Sequence, residues 1–146
     1  MAVDIDLVLA AMDSSDQAAS AAEYALAIAE RYDADVHLLH IVEERLMQGI
    51  ETGDVTAETV AEHQQSLNRR AEKTLPETVS CTSSTAVGFT TKRLGQTPGS
   101  VTLDVAEQLD ADFIVVPRVT TDDTDAVLGK AALYVLEYAT QPVLSV

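Results

Sequence analysis

The chain has 146 residues, the size of one domain built around one core, and 47% of them are apolar, enough to fold. Its 24 acidic residues against 9 basic ones leave a net charge of −15. That balance excludes binding to a nucleic-acid backbone, because there is no basic stripe to replace the counterions of the phosphates.

No run approaches the ~20 apolar residues of a membrane-spanning helix. The N-terminus, MAVDIDLVLAA, has no basic region before its apolar stretch and does not read as a signal peptide. The expectation is a cytoplasmic protein with no membrane or nucleic-acid partner. The single cysteine, Cys81, forms no internal disulfide and reads as a small buried residue. Only three of the basic residues are lysine: Lys73, Lys92 and Lys130. An acidic, lysine-poor surface repels itself in dilute salt and is screened in concentrated salt, which points to a halophilic setting.

In chain order, residues 5–11 (IDLVLAA) form a short apolar run suited to a strand buried on both faces. Asp13, Ser14 and Ser15 supply a helix start, and residues 16–32 then show helical spacing. Ala18, Ala21, Ala22, Ala25, Ile28 and Ala29 make a stripe of mostly small side chains that lets the helix lie close to a sheet. Residues 36–42 (VHLLHIV) form a second strand, and 43–55 a loop. Thr56 to about Leu75 forms a second helix on Val60, Leu67, Ala71 and Leu75, ended by Pro76.

The hydroxyl-rich stretch 77–97 reads as one long strand or two short ones, and its core strand is placed near Phe89–Leu94. Pro98 opens a third helix with Val101, Val105, Ala106 and Leu109 on its apolar face. Residues 113–116 (FIVV) are a fourth strand and 127–139 a fourth helix. PVLSV is a last short strand, after Pro142 stops that helix. Strands alternating with helices specify one α/β domain over residues 1–146: a parallel sheet with right-handed crossovers and helices on both faces.

In such a sheet a ligand sits beyond the C-terminal strand ends, where the strand order reverses. Asp13 would face the stretch PRVTTDDTDAVLGK, residues 117–130, in that crevice, where its carboxylate could accept from a ribose or an adenine amino group. Catalytic and metal readings find little support. His37 and His40 are three apart on a strand and point to opposite faces, so they do not share a metal. His63 stands alone on a helix. H-E-x-x-H, C-x-x-C and G-x-S-x-G are absent, and Ser100 and Ser145 have no visible base. A phospho-acceptor receiver domain would need further acids and a late lysine beyond Asp13.

Four blocks carry a family resemblance: DLVLAAMDSS, AAEYALAIAERYDADVHLLHIVEE, GQTPGSVTLDVAEQLDADFIVV and LGKAALYVLEYATQPVLSV. In this order and spacing the chain resembles a universal stress protein over its full length. The resemblance implies a three-layer, Rossmann-like α/β fold of the adenine-nucleotide alpha-hydrolase-like type, with a five-stranded parallel sheet of order 3-2-1-4-5. It implies no catalytic chemistry. It also implies a homodimer paired through the last strand, Pro142, Val143, Leu144, Ser145 and Val146. The apolar, uncharged edge at that strand agrees.

Many members of that family bind ATP through G-x2-G-x9-G-[ST] after the fourth strand. Carried over by position, the first two glycines fall on Pro117 and Thr120, the third on Gly129 one residue early, and the hydroxyl on Lys130. The remaining pocket positions map to Ala11, Asp13, Ile41, Val116 and Ala131. Proline offers no N–H to a phosphate, and Thr120 carries a Cβ where the backbone should approach closely. Asp122, Asp123 and Asp125 add like charge. At ~5–8 Å in a water-like dielectric each costs a triphosphate under ~1 kcal/mol.

Missing donors weigh more, at ~1.5–3 kcal/mol for each charge-assisted hydrogen bond. The expectation is a regulatory or protective protein with no tightly held cofactor and regulatory protein partners of its own. The alternative is a module that takes AMP or ATP through Asp13 and Gly129–Lys130. An adenylating enzyme of the same superfamily would need an S-G-G-x-D-S loop, which is absent.

Overall fold

The computed structural model describes residues 3–12, 16–42, 79–87, 97–118 and 129–146, with isolated positions between 52 and 77. The strands are β1 (Leu7–Met12), β2 (Asp35–Val42), β3 (Cys81–Val87), β4 (Phe113–Val116) and β5 (Val143–Ser145). Three helices are bounded: α1 (Asp16–Tyr32), α2 (Pro98–Gln108) and α3 (Gly129–Tyr138). Glu58, Ala61, Glu62, Asn68 and Arg69 are also helical, as expected of 56–75. All strand pairs are parallel and the order is β3-β2-β1-β4-β5.

The sheet sorts its side chains by the period of two that a strand imposes. Val8, Ala10 and Met12 of β1, Val36 and Leu38 of β2 and Val115 of β4 share one core cluster with Ala21, Ala22, Ala25, Leu26 and Ala29 of α1. Leu9 and Ala11, Leu39 and Ile41, and Ile114 and Val116 form the opposite cluster, with Ala106 of α2 and Ala132 and Val135 of α3. β1 and β4 are apolar at every position because both faces are covered. Ala21, Ala22, Ala25 and Ala29 of the α1 stripe are buried as its spacing predicts, and Ile28 is partly buried beside them.

One expectation is overturned. The third strand is Cys81–Val87, not Phe89–Leu94; residues 88–96 lie outside the described residues. β3 is an edge strand, and Thr82, Ser83, Ser84 and Thr85 are exposed. An edge strand need not be apolar, so the search for an apolar run missed it. β-branched and hydroxyl residues satisfy such a strand equally well. Cys81 is half-buried against the α1-side core.

A repeated tripeptide closes the N-terminal end of the sheet. Asp33-Ala34-Asp35 and Asp110-Ala111-Asp112 each lead out of a helix into a strand. Asp33 and Asp110 take left-handed backbone conformations (φ 51° and 54°), which Asp tolerates better than most residues. Ala34 N–H then donates to Ala29 C=O and Ala111 N–H to Ala106 C=O, both at 2.9 Å, the bond that ends a helix in a Schellman turn. The third residue ties two strands. Asp35 Oδ1 accepts from Ser80 N–H at 3.0 Å, and Asp112 Oδ2 accepts from Asp6 and Leu7 N–H at 2.9 and 3.1 Å.

Candidate functional site

β1 lies between β2 and β4, and the chain leaves it first toward β2 and β3, later toward β4 and β5. The strand order therefore reverses at β1 and β4, which places the candidate crevice beyond their C-terminal ends. Ala11, Ile41 and Val116 come together there. All three belong to the α2/α3-side cluster, at 0, 3 and 0% exposure, near the ends of β1, β2 and β4. At that burial they are part of the sheet's own core, directly beneath the strand ends. Gly129, Lys130 and Ala131 open α3, and Ala132 packs into the same cluster. Asp13 directly follows the end of β1 and lies outside the described residues, as do Thr120, Asp122, Asp123 and Asp125.

The chain leaving β4 offers a phosphate little. Pro117 is buried and has no N–H. The next donor, Arg118 N–H, is held by Val146 C=O, and Val146 N–H returns to Val116 C=O at 3.0 Å. The first backbone donors past the strand therefore complete the sheet instead of facing the crevice. α2 also keeps its N-terminal donors to itself. Thr97 Oγ1 accepts from Ser100 N–H at 3.1 Å, and Ser100 Oγ accepts from Thr97 N–H at 2.8 Å. This is a reciprocal cap with Pro98 in the first turn.

His37 and His40 lie on opposite faces of β2, as their spacing predicts; His37 reaches β3 directly and His40 through Asn68. His37 Nδ1 lies 2.7 Å from Thr82 Oγ1 and its Nε2 lies 2.8 Å from Ser84 Oγ. Burial, and secondarily the charge of His40, hold its pKa below the ordinary 6.5. His40 Nε2 lies 3.1 Å from Asn68 Oδ1, while Asn68 Nδ2 donates to Ser83 Oγ at 3.1 Å. Asn68 thus bridges the His40 ring to the Ser83 hydroxyl. Sequence reasoning marked both histidines as structural but missed Thr82, Ser84 and Asn68, whose positions depend on the β2–β3 register. Among the described residues no group of three or more His, Cys, Asp or Glu could hold a metal. No helix there is long and apolar enough to cross a membrane.

The family model described as the universal stress protein family matches residues 5–146. The chain belongs to that family. No curated protein matches its sequence closely enough to count as a relative. Solved structures of similar fold include the universal stress protein UspA from Lactobacillus plantarum, at 21% identity and TM-score 0.71 over 99% of both chains. A universal stress protein in complex with cAMP matches at 18% identity and TM-score 0.67, covering 98% of this chain and 97% of its own. One from Archaeoglobus fulgidus in complex with dAMP matches at 20% identity and TM-score 0.59, covering 99% and 98%. At these identities the universal stress proteins support the fold: five parallel strands in the order 3-2-1-4-5 with helices on both faces.

Proposed function

We propose that this universal stress protein is a non-catalytic regulatory or protective protein of the cytoplasm that does not hold ATP tightly. The observation that carries this reading is the chain leaving β4, where Pro117 has no N–H and Arg118 N–H is bound to Val146 C=O. Two donors that a triphosphate cradle would need are absent from the crevice. Together they correspond to roughly 3–6 kcal/mol, or two to four powers of ten in affinity. Asp122, Asp123 and Asp125 in the following stretch add like charge.

A second reading is favoured by one observation. The similar structures were solved with cAMP and with dAMP, each carrying a single phosphate. Binding of a mononucleotide such as AMP, weak and centred on Asp13, would then lie over the strand ends where Ala11, Ile41 and Val116 form the buried floor. Calorimetry in molar KCl tests both readings. No ATP binding at millimolar nucleotide supports the first, and micromolar ATP binding that Asp13→Ala abolishes overturns it. Weak AMP binding lost in the same variant supports the second.

The same proposal includes a homodimer paired through β5. Ile114 N–H donates to Pro142 C=O and Val146 N–H to Val116 C=O. In a parallel ladder this turns the backbone groups of Val143 and Ser145 away from β4, toward the open edge. Leu133, Leu136 and Tyr138 are exposed on α3, the helix that leads into that strand.

A further inference from the structure

We propose that Ser84 is a nucleophilic hydroxyl, activated by His37, that accepts an acyl group from an activated ester. Thr82 stands opposite His37 and Ser84 opposite Leu39, so the two hydroxyls are two residues apart on one face of β3. The imidazole of His37 lies between them, at 2.7 Å from Thr82 Oγ1 and 2.8 Å from Ser84 Oγ. Ser84 is exposed to a reagent, while the base is 8% exposed.

A neutral imidazole has one N–H and one lone pair. With two hydroxyls bound to its two nitrogens, one receives the ring hydrogen and the other gives its own hydrogen to the ring. With Nδ1 protonated, Thr82 Oγ1 accepts and Ser84 Oγ–H donates to Nε2. That is a nucleophile, a base, and a third group that orients the base. Ser84 is the primary and less crowded of the two alcohols. Burial keeps the ring neutral near pH 7, so its lone pair is available.

In the step itself, Nε2 takes the Oγ proton as the Oγ–carbonyl carbon bond forms. The ester bond to the leaving oxygen then breaks, and the proton passes from Nε2 to that oxygen as the alcohol departs. Thr82 is neutral where a carboxylate would stabilise the imidazolium more strongly. The reaction is therefore modest in rate and registers as one acyl group per chain instead of rapid turnover.

The test uses the full chain with p-nitrophenyl acetate, followed by peptide mass mapping. One acetyl group per chain is expected, on Ser84, and none at that position in Ser84→Ala. His37→Gln keeps a hydrogen-bonding side chain and should slow acetylation by roughly 10²–10⁴-fold, the usual contribution of a general base. In the unaltered protein the rate should rise with pH and level off below the ordinary histidine range, a signature that a purely structural His37 would not produce. That profile needs no variant to fold. Acetyl groups only on Thr82, lysines or the N-terminus overturn the proposal. So does a rate at Ser84 that is the same in His37→Gln, or that shows no titration.

Discussion

Replacing Gly99 with alanine sets two effects of opposite sign against each other. Gly99 is buried in the first turn of α2, where alanine is the better helix former by up to ~1 kcal/mol. A Cβ at that position would meet Tyr134 of α3 at 2.8 Å from Cδ1, 2.9 Å from Cβ and 3.0 Å from Cγ. Carbon atoms pack best at ~3.5–4.0 Å, so the two helices must part by roughly half an ångström or more. Turning the Tyr134 ring aside would relieve Cδ1 but not Cβ, which moves only with the helix backbone. Overpacking of this kind costs ~1–3 kcal/mol and outweighs the gain in propensity.

The net expectation is a loss of ~1–2 kcal/mol, and for a domain of this size that lowers Tm by roughly 2–8 °C. Thermal melts followed by circular dichroism, at one protein concentration and one salt, read it directly. Adding Tyr134→Ala removes two of the three close contacts, so it should cost less in the Gly99→Ala background than alone. A Gly99→Ala protein at least as stable as the parent would refute the close approach of α2 and α3.

Three further outcomes follow from the same structure. His37 has a folded pKa below its unfolded value of 6.5, so the unfolded chain binds the extra proton first as pH falls. Its contribution is complete above about 6.5 and is lost as pH drops from there to the folded value. Urea unfolding of the parent should show this loss and His37→Gln should not; parallel pH profiles would contradict it. The net charge of −15 predicts that Tm rises between dilute and molar KCl, and an unchanged Tm would remove the halophilic reading. Ser145→Pro removes an N–H that faces the open edge and not β4. If the parent sediments as the proposed dimer, this variant should sediment as a folded monomer, and an intact dimer would place the interface elsewhere.

Much of the fold was legible because its central strands are buried on both faces. IDLVLAA, VHLLHIV and FIVV announce themselves as apolar runs, and the alanines of α1 fix which side faces the sheet. β3 was misplaced because an edge strand has little such constraint, and its exposed Thr82–Thr85 stretch has no apolar run to mark which part of 77–97 pairs with the sheet. The two Asp-Ala-Asp turns were visible as letters but not as a device, since their meaning depends on a backbone conformation and on strands far away in sequence. Ala11, Ile41 and Val116 were named through the family resemblance, and the structure brings the three together in one buried cluster. Thr82 and Ser84 could not be matched to His37 until β3 was in register with β2.

The central claim, as proposed above, is that this universal stress protein has no hold on the terminal phosphates of ATP. The ratio of the ATP and AMP dissociation constants, measured by calorimetry in one molar-KCl buffer, tests it most directly. With Pro117 lacking an N–H and Arg118 N–H tied to Val146, the β- and γ-phosphates should add nothing, and ATP should bind no more tightly than AMP. ATP binding a hundredfold or more tighter, a difference of about 2.7 kcal/mol, would mean that residues 117–130 still cradle a triphosphate and would contradict the account.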